Sequence, residues 1–218
     1  MSHNPALVLI TNVVEQDDEL LLSKLNLGSY IRAENQSYGQ NGSAATLCDV
    51  TYDFFTDRLF IGRYGQVLIL VNGPITWEFL RTDLSATEEA FIKAFPSSDI
   101  VSLSYASTST SYSYVVIRNG EKIRVKHGSQ DGPLIDHGEP LPLELEIGID
   151  DLLSPGDLED LRSDRSALEL EFTLDGLRGS AVMHRLVSHY LGGLELHTQG
   201  LEAIKVTEFV KLFAKSGI

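Results

Sequence analysis

Apolar and polar positions follow several different rhythms along this chain. Ala6 to Thr11, ALVLIT, is apolar almost throughout and has strand length, so it predicts a buried strand. DDELLLSKLNLG, from Asp17 to Gly28, has acids in its first turn and a glycine at its end, and predicts a helix. Arg32 to Ala45 is polar with two glycines and predicts a loop. TLCDVTYDFF, from Thr46 to Phe55, predicts a strand, and DRLFIG and QVLILVN are expected to pair around Arg63-Tyr64-Gly65 as a hairpin. Ser85 followed three residues later by Glu88 is a capping-box pattern, so Ala86 to Ala94 should be helical and Pro96 should end the helix.

The serine-rich stretch VSLSYASTSTSYSYVVIRNGEKIRVKH, Val101 to His127, has strand rhythm on both flanks. Val101, Leu103 and Tyr105 share one phase, and Tyr112, Tyr114 and Val116 share the other. A turn or bulge within Ser107 to Thr110 produces that change of parity. Asn119-Gly120 is the preferred dipeptide of a two-residue type I′ hairpin. Arg118 should then face Glu121, Val116 face Ile123, and Tyr114 face Val125. One face would carry Tyr112, Tyr114, Val116, Ile123 and Val125. The other would carry Ser111, Ser113, Val115, Ile117, Lys122 and Arg124. The stretch is therefore expected to be a turn entering a strand, with a hydroxyl-lined ligand surface as the alternative.

Gly128 to Pro140 predicts a loop. Leu141, Leu143, Leu145, Ile147 and Ile149 then alternate without a break, and Pro140 and Pro142 suit an edge strand or an extended cover segment. Ser154-Pro155 predicts the start of a short helix. Leu168, Leu170, Phe172 and Leu174 alternate again and predict a strand. A helix is expected from about Ser180 to Gly192-Gly193, and a terminal helix from Thr207 to Gly217. No internal repeat of about 20–50 residues appears. This order defines the α+β class: a mainly antiparallel sheet, mixed pairing left open, with helices on one face and a helical C-terminal segment. Residues 1–218 are expected to form a single domain. A subdivision into a sheet core, 1–144, and an acidic strand and helix segment, 145–218, is the alternative.

Composition narrows the function. The chain has 218 residues, 43% hydrophobic and 22% charged, which is ordinary for a globular domain. No apolar run approaches the ~20 residues of a membrane-spanning helix. The first residues carry no basic leader, and one cysteine, Cys48, permits no internal disulfide, so a cytoplasmic location is expected. Cys48 is expected to be a buried, inert thiol in a strand. The formal net charge of −14 argues against nucleic acid and anionic membrane as partners. From Asp136 to Asp175 thirteen acids stand against Arg162 and Arg165. A surface of that sign favours a basic protein partner by electrostatic steering.

Chemistry is sparse. No nucleophile elbow, phosphate-binding glycine loop, zinc-protease or paired-cysteine motif is present, and no catalytic residue or cofactor is expected. His127, Asp131, Asp136 and His137 form the best metal-like local cluster. Trp77, among apolar neighbours, is expected to be core or half-buried, with an exposed interface anchor as the alternative.

YSYVVIRNGEKIR, IDHGEPLPLE and VMHRLVSHYLGG, in that order, resemble a bacterial family of uncharacterised α+β domains. The resemblance implies the α+β class and a bacterial cytoplasmic protein, and brings no activity. The leading expectation is a non-enzymatic, immunity-protein-like interaction domain. Its partner surface would be Glu144, Glu146, Asp150, Asp151, Asp157, Glu159, Asp160, Glu169 and Glu171. The alternatives are an enzyme or small-ligand or metal-binding protein built on His127, Asp131, Asp136 and His137 beside the serine-rich strand, and an oligomerising scaffold that pairs through an edge strand at Leu141 to Ile149.

Overall fold

The computed structural model describes residues 5–15, 17–34, 45–51, 57–129, 131–194 and 199–212. Its strands are β1 (Ala6–Ile10), β2 (Tyr30–Arg32), β3 (Arg58–Tyr64), β4 (Val67–Val71), β5 (Ile100–Ala106), β6 (Ser111–Arg118), β7 (Glu121–Ser129), β8 (Gly132–His137) and β9 (Val206–Lys211). Among the described residues they form one nine-stranded sheet in the order β2-β9-β3-β4-β1-β5-β6-β7-β8. Every neighbouring pair is antiparallel. The last strand returns between β2 and β3, so the C-terminal part of the chain is built into the same sheet as the N-terminal part.

Helices cover both faces of this sheet, not one. β1 is buried along its whole length: Leu7 and Leu9 join one apolar cluster, Val8 and Ile10 the other. A strand apolar on both sides needs cover on both sides. On the first face it comes from α2 (Leu47–Val50) and α7 (Ala167–Tyr190), through Leu47, Val50, Val182, Met183, Leu186 and Val187. On the second it comes from α1 (Asp18–Lys24), α3 (Gly73–Glu78) and α4 (Ala86–Ala94), through Leu21, Leu22, Ile75 and Phe91.

Local signals hold where the chemistry is short-range. The Ser85 hydroxyl accepts from the Glu88 N–H while the Glu88 carboxylate accepts from the Ser85 N–H, and this starts α4. β3 and β4 turn through Gly65, and Arg118 pairs with Glu121 across Asn119-Gly120, both in left-handed conformations. Ser107 to Thr110 is the turn between β5 and β6. Ser154 caps α6 (Pro155–Asp164).

Several longer-range expectations are corrected. Leu168 to Leu174 is not a strand but the first half of α7, whose start is fixed by a reciprocal Ser166–Glu169 capping box. Leu141 to Ile149 is not a strand either. It holds the short α5 (Pro142–Leu145), and a 3-10 turn follows at Ile149–Asp151. The edge proposed there for self-pairing therefore does not exist, and the outer strands are β2 and β8. Val206–Lys211 is a strand, not a helix, and the expected helix end at Gly217 lies outside the described residues. Thr46 caps the helix α2 in place of the expected strand, whose last residues, 52–55, are likewise outside. Cys48 is half-buried on α2 with a free thiol. The expected loop from Gly128 is mostly strand, the end of β7 and all of β8.

One register correction matters for the chemistry. Val116 pairs with Arg124, not Ile123, because a bulge lies between Val116 and Ile117. The extra residue turns the rest of β7 over. Arg124 and Lys126 thus face α7 beside Tyr112 and Tyr114, while Val125 joins Val115 and Ile117 on the opposite face.

Candidate functional site

The bulge delivers two cations to a cluster of carboxylates on the α7 face of the sheet. Arg124 is 1% exposed and uses its whole guanidinium. It donates to both Glu144 oxygens at 2.8 Å, to Asp136, and to the carbonyls of His137 and Gly138 at 3.2 and 2.9 Å. Lys126 bridges Asp136 and Asp175 at 2.9 Å each, and the Tyr112 hydroxyl donates to Asp175. Burial, and next the Asp175 carboxylate that accepts its hydrogen bond, raise the pKa of Tyr112. Burial alone would raise Asp136, but hydrogen bonds from Lys126 and Arg124 hold it below the usual carboxylate range. The network clamps α5, β8 and α7 to the sheet.

That clamp redraws the acidic surface. Glu144 is buried and wholly engaged, so it offers nothing to a partner. Glu146 and Asp151 lie 3.7 and 3.9 Å from Arg185. Asp150, Asp157, Glu159, Asp160, Glu169 and Glu171 are exposed, and all but Asp150 lie on α6 and the first turns of α7. α6 contains no buried residue. Its Asp157, Asp160 and Asp164 share one depression with Leu161 and Arg165, as their spacing of three and four residues requires.

The metal candidates do not converge. On β7 and β8, Asp136 pairs with Lys126, while His127 pairs with Ile135, so the two side chains leave opposite faces of the sheet. Asp131 is exposed in the turn, with its N–H donating to the Ser129 hydroxyl, and His137 is exposed opposite Val125. Among the described residues no three His, Cys, Asp or Glu side chains come together as a metal site.

His127 belongs instead to a pocket that the sequence suggested only in part. Ser104, Ser113 and His127 stand in register across β5, β6 and β7, on the sheet face that α3 and α4 cover further along. The cover stops short of this row, leaving an open-sided pocket of about 590 Å³ with Trp77 and Leu80 at its rim. Trp77 is 62% exposed, contrary to the core or half-buried position expected from its neighbours, because it falls on the outer side of the short helix α3. The His127 Nδ1 lies 2.9 Å from the Tyr112 carbonyl oxygen, which can only accept. Nδ1 therefore carries a proton, and in the neutral ring Nε2 is the acceptor. Among the described residues no Asp, Glu, Lys or Arg lines the pocket.

Comparison with protein families, curated proteins and solved structures finds no match. Among the described residues no helix is long and apolar enough to cross a membrane.

Proposed function

We propose that this chain is a non-enzymatic interaction domain that binds a basic protein partner through α6 and the start of α7. One observation carries this reading: α6 is a ten-residue helix with no buried residue and three carboxylates on one depression. From Asp150 to Glu171 eight acids stand against two arginines. A short helix is marginal in water without packing, and like charges three or four residues apart weaken it further. A cationic partner supplies both packing and counter-charge, and the field of the arm speeds its approach.

The test is a charge-neutralised arm, with Asp157→Asn, Glu159→Gln, Asp160→Asn and Asp164→Asn together. These side chains are exposed, so the fold should be retained. A partner captured from host lysate by the parent chain, and released by moderate salt, should be lost by the variant. Equal retention by both, with the same salt dependence, refutes the arm as the binding surface.

A further inference from the structure

The pocket beside α3 is independent of the acidic arm and has its own chemistry. Its floor is the row Ser104, Ser113 and His127, and its far end is the β5–β6 turn with Thr108 and Ser109 and the first residue of β6, Ser111. Every hydroxyl both donates and accepts, and His127 Nε2 adds an acceptor whose direction is set by the Tyr112 carbonyl. The Ser109 and Ser111 hydroxyls are 2.8 Å apart, an arrangement in which either can be the donor. The rim is apolar, with Leu80 and the exposed Trp77.

Three constraints on a ligand follow. A charged ligand would lose hydration with no side chain of opposite sign among the described lining residues, a large cost. A purely apolar one would leave the hydroxyl row unpaired. A size within the ordinary range for small-molecule pockets, about 300–1,000 Å³, suits one or two linked rings. What remains is a neutral molecule with one apolar face and hydroxyls around its edge, which is the chemistry of a pyranose ring. We infer that this pocket binds a neutral saccharide, with the C–H face of one pyranose ring against Trp77 and its hydroxyls on Ser104, Ser113 and His127.

The chain has one tryptophan, so its fluorescence reports the site directly. The parent protein is titrated with the methyl glycosides of glucose, galactose, mannose and N-acetylglucosamine, and with glucose 6-phosphate and uridine. At least one neutral glycoside should shift the emission with a Kd on the order of millimolar or tighter, and glucose 6-phosphate should bind at least about tenfold more weakly than the best of the four glycosides. Ligand-observed NMR then compares Trp77→Ala and His127→Asn. The asparagine can still donate to the Tyr112 carbonyl but lacks Nε2. Each variant, with its fold verified by circular dichroism, should bind the glycoside at least about tenfold and severalfold more weakly, respectively. No response to any of the four glycosides, binding of uridine alone, preference for the phosphate, or unchanged binding by Trp77→Ala would each overturn the inference.

Discussion

Two glycines three residues apart on α7 should respond in opposite directions to alanine. A Cβ on Gly179 would lie 2.2 to 2.4 Å from three ring atoms of Tyr112, whereas one on Gly176 would meet nothing within 4 Å. Both substitutions remove a glycine from a helix, a gain of about 1 kcal/mol. At Gly179 the gain is overwhelmed. Carbon atoms need about 3.5–4.0 Å, so either the ring or the helix must move by more than 1 Å. The ring has no room: it is fully buried, stacked on Tyr114, and its hydroxyl is held by Asp175. Overpacking of this kind costs about 1–3 kcal/mol, and losing a hydrogen bond to a charged group adds about 1.5–3 kcal/mol. Net of the propensity gain, Gly179→Ala should destabilise by about 1.5–5 kcal/mol, while Gly176→Ala stabilises by up to about 1 kcal/mol. Urea unfolding followed by far-UV circular dichroism measures both. In the Gly179→Ala background Tyr112→Leu should cost less than in the parent, because it removes the clash. If the two alanine variants differ by less than about 1 kcal/mol, the close packing of α7 on Tyr112 is wrong.

Further expectations concern the clamp and the pocket. Arg124→Leu leaves Glu144 buried without a counter-charge and should cost about 3–5 kcal/mol in the same assay, and adding Glu144→Leu should recover a substantial part of the loss. An Arg124→Leu cost under about 1 kcal/mol would refute the clamp. Asp136, held below its unfolded pKa, contributes stability above the ordinary carboxylate range, and that contribution is lost as pH falls through its lower folded value. Melting temperatures across about pH 2–7 should therefore decline less steeply on the acid side for Asp136→Asn than for the parent, and parallel profiles would refute the assignment. Trp77→Ala should change stability by no more than about 0.5 kcal/mol because the indole is exposed, and a larger loss would place the side chain in the core.

Punctuation was legible in the residues themselves. Asn119-Gly120, the Ser85–Glu88 box, Ser154-Pro155 and Gly192-Gly193 act within a few residues, so the chain alone determines where those elements start, turn or stop. The α+β class and the charge asymmetry were legible for the same reason. Element type was not legible where a short apolar rhythm suits both periods. Leu168 to Leu174 alternates like a strand yet also feeds a helix, and the decisive local sign, Ser166 three residues before Glu169, was present. Val206–Lys211 carries a helix-like pattern, but its partners are β2 and β3, whose backbone groups complete its hydrogen bonds. Those neighbours are remote in sequence, so tertiary structure decided.

The candidate sites divide the same way. His127 and the serine row could be named from the residues, but the gap in the helical cover and the exposure of Trp77 depend on where α3 ends above the sheet. The acidic block could be counted, but not sorted. A single bulged residue after Glu121-Lys122 rotates Arg124 and Lys126 onto the α7 face, where they take up Glu144, Asp136 and Asp175. Sequence thus determined how much negative charge the chain carries. Only the fold decided which carboxylates pair with Arg124 and Lys126 and which stay exposed on α6, because charges pair through space and not along the chain.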